Sequence, residues 1–126
     1  MLSGGGNRNW RLIYLDGRAL PQSDDVSPTY FGYSSARWEG DTLVINSVGY
    51  AERFWFTNGG LPHTESLKLT ERLSRPDFNT LKYEVTVDDV GAYTRPWTGG
   101  WTMPWVPNEE LQEYFCEENV ESTFVR

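Results

Sequence analysis

Cysteine and histidine are almost missing from this chain: Cys116 and His63 are the only examples among 126 residues. A single cysteine excludes an intramolecular disulfide, and the two together exclude the multi-cysteine and multi-histidine clusters that hold zinc. No apolar run approaches the ~20 residues that a membrane-spanning helix needs. The opening MLSGGGNRN lacks the apolar stretch of a secretion signal and reads as a flexible lead-in over residues 1–9. Its glycines precede neither a helix nor a Lys-Ser/Thr pair, so the pattern of a phosphate-cradling loop is not met. Basic charge is scarce as well: 11 Lys and Arg face 18 Asp and Glu, for a net charge of −7. That balance argues against binding nucleic acid through a basic surface. The excess is local, because residues 109–126 hold six glutamates and one arginine, and this end reads as a solvated acidic face. The expectation is a cytoplasmic protein with no metal, no cofactor, and no nucleic-acid or membrane partner.

Aromatic residues are what the chain has in excess. They make up 15% of it, as 6 Trp, 7 Tyr and 6 Phe, whereas disordered chains are poor in them. Three tryptophans, Trp97, Trp101 and Trp105, are spaced by four. The spacing suits one face of a helix, but Pro96, Gly99, Gly100 and Pro104 oppose a helix here. In an extended chain Tyr93, Arg95, Trp97, Gly99, Trp101, Met103 and Trp105 share one side instead.

Period-two alternation broken by closely spaced turn residues predicts one antiparallel all-β domain over residues 10–126. Strands are expected over residues 11–15, 33–38, 42–48, 52–56, 65–73 and 81–87 and through the Trp-rich segment. Glu39, Gly40 and Asp41 mark a hairpin. Residues 75–79 and 88–91 mark turns, and 57–63 a loop. Glu65, Leu67, Leu69, Glu71 and Leu73 point one way, as do Leu81, Tyr83, Val85 and Val87 on the next strand. With Leu73 opposite Leu81, Glu71 faces Tyr83. With Val87 opposite Tyr93, Arg95 lies beside Val85 and Trp97 beside Tyr83. Residues 108–119 fit either a short helix capped by Asn108 or a closing strand. The expected architecture is a single antiparallel β-barrel or strongly curved sheet, lipocalin-like in general form, of about seven or eight strands.

Several stretches carry a family resemblance: RWEGDTLVI at 37–45, LPHTESLKLTER at 61–72 and YEVTVDDVGAYTRPW at 83–97, joined by YLDGR at 14–18 and EYFCEEN at 113–119. Together they resemble the C-terminal half of an uncharacterised family of bacterial secreted proteins. The resemblance spans nearly all of residues 11–119 and implies a shared fold, but it carries no activity to transfer. The chain differs from that family's pattern at Tyr33, where His is usual, at Asn46, where Asp is usual, and at Val90, where Pro is usual.

Glu71 is the most unusual placement, because the alternation that buries Leu69 and Leu73 turns its carboxylate inward too. An inward carboxylate costs several kcal/mol unless it is paired or hydrogen-bonded. A polar group of Glu71, Tyr83 and Arg95 is therefore the candidate centre for ligand contact or catalysis, with a structural ion pair as the alternative. His63, two residues before Glu65, is a candidate acid–base residue or simply a loop histidine bonded to backbone. Cys116, flanked by Glu117, reads as a small buried residue rather than a nucleophile. Asp88 and Asp89 read as turn residues whose carboxylates bond local backbone.

These features predict a binder of a small apolar or planar molecule. Trp97, Trp101, Tyr83 and Phe56 would supply contact area in an aromatic pocket, and Glu71, Arg95 and His63 would orient polar groups. One alternative is an isomerase, cyclase or hydrolase of a small organic substrate, using Glu71 or His63 as acid–base with Arg95 stabilising negative charge. Another is a homo-oligomeric module that associates through the strand carrying Trp97 to Trp105.

Overall fold

The computed structural model describes residues 10–52 and 60–110. Phe56, Cys116, most of the expected strand at 52–56 and the helix-or-strand segment from residue 111 onward lie outside the described residues. The elements in chain order are β1 (Ile13–Tyr14), a 3-10 turn (Ser23–Asp25), β2 (Tyr33–Glu39), β3 (Thr42–Val48), β4 (Lys68–Asp77), β5 (Thr80–Asp88) and β6 (Trp97–Pro104). They form one six-stranded sheet in sequence order. All pairings are antiparallel except β1 with β2, which is parallel, so the sheet is mixed. A parallel neighbour needs a crossover rather than a tight turn, and residues 15–32 supply it. Among the described residues β1 and β6 are the edges of an open sheet.

The hairpins follow their turn chemistry. Glu39 pairs with Thr42 around Gly40 and Asp41, and Gly40 has φ +58°. A glycine with positive φ at the first of two loop positions matches the twist of the flanking strands. Between β4 and β5 the strands run on to Asp77 and Thr80, with a register shift between Ser74 and Asp77. Pro76 falls in that shift, where a missing N–H costs no ladder bond. Asp77 then accepts from the Asn79 N–H at 2.8 Å and closes the turn.

The register differs from the expected one while the faces agree. Leu73 lies opposite Tyr83 rather than Leu81, and Glu71 opposite Val85. Val87 lies opposite Trp97 rather than Tyr93. Both shifts are even, so every side chain keeps its face. The second arises because residues 89–96 form a wider connection than a simple turn. Asp89, fully buried, accepts from the Thr64 N–H and hydroxyl at 2.6 Å each and from the Gly91 N–H at 3.0 Å. The Tyr93 hydroxyl reaches back to the Pro62 carbonyl at 2.8 Å. These bonds tie the connection to the 61–67 loop and leave Arg95 exposed at a bend rather than in a strand.

One face of the sheet is mostly polar, with Val44, in register between Arg37 and Arg72, fully buried on it. Glu39 pairs with both Arg37 and Arg72, Lys82 with Glu84, and Thr86 bonds Thr98 at 2.9 Å. The Arg37–Glu39 and Lys82–Glu84 pairs lie along one strand, whereas Thr86 and Thr98 face each other across β5 and β6, and a directly opposed pair of that kind adds a few tenths of a kcal/mol. The other face carries the core, where Tyr50 and Leu67 from the β3–β4 connection pack on Leu69 and Val87. Val85, Tyr93 and Trp97 border that cluster. Burying such side chains contributes roughly 1.5–3 kcal/mol apiece.

Candidate functional site

Pairing register sorts the core face into three parallel rows running across the strands. The first is Ser34, Ser47, Leu69, Val87 and Trp97; the second Ala36, Ile45, Glu71, Val85 and Gly99; the third Trp38, Leu43, Leu73, Tyr83 and Trp101. The first row lies under the loop residues just described and is buried from Ser34 to Val87, with Trp97 partly buried, and Ser34 and Ser47 satisfy each other's hydroxyls at 2.7 Å. The third row opens to solvent: Trp38 is 64% exposed and Trp101 57%. Between them lies the carboxylate of Glu71.

Glu71 keeps only 3% side-chain exposure. Its carboxylate accepts two bonds from the Arg11 guanidinium, at 3.3 and 2.5 Å, and one from the Tyr83 hydroxyl at 2.8 Å. A buried carboxylate held by a bidentate arginine and a phenol is paired and satisfied. Burial alone would lower the pKa of Arg11, but the hydrogen bond and charge of Glu71 outweigh it and hold the pKa above its usual value. Burial, then the charge and hydrogen bond of Glu71, push Tyr83 far above the ordinary phenol range. Tyr83 therefore remains a donor at any physiological pH.

The structure brings Glu71 and Tyr83 together as the alternation suggested, but Arg11 stands where Arg95 was expected. Arg11 precedes β1, whose parallel pairing with β2 places this end of the chain over the core face. Alternation within one strand carries no information on which distant segment docks there. His63 is buried in the 61–67 loop, with Nδ1 3.2 Å from the Thr64 carbonyl. Trp97 belongs to the core, packing edge-on to Tyr93 with ring centres 5.8 Å apart. Its buried indole N–H has no hydrogen-bond partner among the described residues. Trp101 instead lies on Tyr83 with ring centres 4.7 Å apart and planes tilted by 41°.

Two features extend the open row. Gly99 removes a side chain between Trp97 and Trp101, and a Cβ built there meets only Trp97, at 3.7 Å. Beyond Tyr83 and Trp101 lie Leu81 and Met103, which border a cleft of about 530 Å³ with Arg75, Phe78 and Trp105. Small-ligand sites fall in this size range. Arg75 crosses the exposed Phe78 ring at 4.8 Å and bonds the Phe78 carbonyl, which fixes the cation at the cleft rim. Among the described residues no three His, Cys, Asp or Glu side chains gather as metal ligands, and no helix is long and apolar enough to cross a membrane.

No protein-family model matches the chain, and neither a curated protein nor a solved structure matches it.

Proposed function

We propose that this chain is a binding domain for a small apolar or planar molecule, held on the open half of a curved, lipocalin-like sheet. The observation that carries this reading is the third row: Trp38, Leu43, Leu73, Tyr83 and Trp101 form a continuous apolar strip leading to a cleft. Exposed strips of this kind on a small domain mark places where something docks. The neighbouring Glu71–Arg11–Tyr83 group gives the strip one polar boundary. Tyr83 is the member that faces both ways, stacking on Trp101 while its hydroxyl bonds Glu71. A flat ligand would lie against Trp101 and Tyr83, with Gly99 leaving room for its edge.

The engagement of Glu71 favours binding over catalysis. The Glu71 carboxylate already accepts three bonds from Arg11 and Tyr83 inside the protein, and Tyr83 holds its own proton too firmly to act as acid near neutral pH. The test is titration with a neutral planar dye such as N-phenyl-1-naphthylamine, followed by dye emission and tryptophan quenching. The expected result is saturable binding that weakens at least about tenfold in Trp101→Ala. Binding that is absent, or unchanged by that substitution, rejects the proposal.

A further inference from the structure

Among the described residues β6 is an edge strand, and its backbone indicates what can pair with it. The Trp105 N–H donates to the Asn79 carbonyl at 2.6 Å, in the same register that pairs Met103 with Leu81 and Trp101 with Tyr83. N–H and C=O of one strand residue point the same way and alternate along the chain. The odd residues of β6 therefore turn their backbone groups toward β5. Thr98, Gly100, Thr102 and Pro104 turn theirs outward. Pro104, which has no N–H, occupies an outward position, where proline is tolerated on an edge. Natural edge strands are commonly guarded by charges or bulges. β6 carries no charged residue from Trp97 to Pro104 and keeps an unbroken register along its length.

We propose that β6 pairs with β6 of a second copy of this chain, antiparallel about a twofold axis at Gly100. In that register Thr98 of each copy exchanges both backbone bonds with Thr102 of the other, and Gly100 exchanges its bonds with Gly100. Every outward donor of the strand is then satisfied. The odd positions become the closely approaching, non-bonded pairs, with Cα atoms about 4.5 Å apart. Trp101 of one copy falls opposite Gly99 of the other, and Trp97 opposite Met103. The notch at Gly99, open in the single chain, receives the most exposed ring of the strand. A register shifted by two residues either way would set Trp101 against Trp101 or Gly99 against Gly99 and lose this fit. Among the described strands the nearest ion pair to the seam, Lys82 with Glu84, lies one strand back and is internally neutral. Pairing would occupy the Gly99 notch and the Trp101 ring that the small-molecule reading gives to a ligand, so the two occupants compete for one place, and sedimentation without dye reads pairing alone.

The test is sedimentation equilibrium of the full chain, with Thr102→Pro and Gly99→Val beside it. Thr102→Pro removes an outward N–H that β5 does not use, so it should keep the far-ultraviolet spectrum and abolish pairing. Gly99→Val puts into the notch a side chain whose Cβ meets only Trp97, at 3.7 Å, and should weaken pairing at least about tenfold. The unaltered chain should reach twice 14.5 kDa at concentrations well below about 1 mM. A chain that stays monomeric to that concentration overturns the inference. A dimer that survives Thr102→Pro also overturns it, and a dimer lost in Thr102→Pro but unaffected by Gly99→Val overturns the register.

Discussion

Removing the Arg11 guanidinium should be among the costliest single changes in the chain. In Arg11→Met the stem is kept, while the Glu71 carboxylate loses two of its three donors and retains only the Tyr83 hydroxyl. With 3% side-chain exposure it cannot turn to water for replacements. Breaking one side of a buried pair costs about 3–5 kcal/mol. Arg11 keeps 18% exposure, so the reverse change, Glu71→Leu, leaves a cation that can still reach solvent and should cost less, nearer about 2–3 kcal/mol. The double variant Arg11→Met with Glu71→Leu removes both charges and should recover much of the loss. That pattern implies a coupling of at least about 1.5 kcal/mol. Urea unfolding followed by circular dichroism measures all four corners of the cycle, with equal slopes as the check on two-state behaviour. Arg11→Met within about 0.5 kcal/mol of the parent would refute the reasoning, as would strict additivity of the two changes.

Three further outcomes follow from the loop clamp and the tryptophans. Gly91→Ala places a Cβ 2.6 Å from Thr64 Oγ1 and 2.7 Å from its Cγ2. It should pry Thr64 from Asp89 and cost about 1–3 kcal/mol, read as a lowered thermal midpoint. Burial pushes the Asp89 carboxyl up, but bonds from Thr64, Gly91 and Ala92 outweigh it and hold it below the usual carboxylate range. A depressed folded pKa gives stability that is present above the unfolded value of about 4 and lost as the pH falls below it. Asp89→Asn should therefore be less stable than the parent at pH 7, with the gap narrowing in acid unfolding measured down to about pH 2. Trp97→Ala should cost about 2–4 kcal/mol as a core deletion, while Trp101→Ala should cost under about 1 kcal/mol; similar losses in chemical denaturation would contradict the division between core and open rows.

The face of each strand was legible because alternation survives any even shift of register. Leu69, Glu71, Tyr83, Val87 and Trp97 all lie on the side that period two assigns. Partners were less legible, since alternation cannot distinguish Val87 opposite Tyr93 from Val87 opposite Trp97. The deciding feature is the Asp89–Thr64 clamp, a contact between segments 25 residues apart. The same limit explains Arg11. An inward glutamate signals that a cation is needed, but Arg95 and Arg11 satisfy that demand equally well on paper. The fate of the tryptophans turned on rows rather than faces, for Trp97 and Trp101 share a side and differ only in what covers them.

Two-dimensional amide and indole spectra recorded during titration with N-phenyl-1-naphthylamine test the central assignment most directly. Saturating shifts are expected to concentrate at Leu73, Tyr83, Gly99, Trp101 and Met103, with the Trp101 indole moving far more than that of Trp97. Shifts confined to Thr70, Thr86 and Thr98 on the opposite face, or no saturating shifts at all, would contradict it.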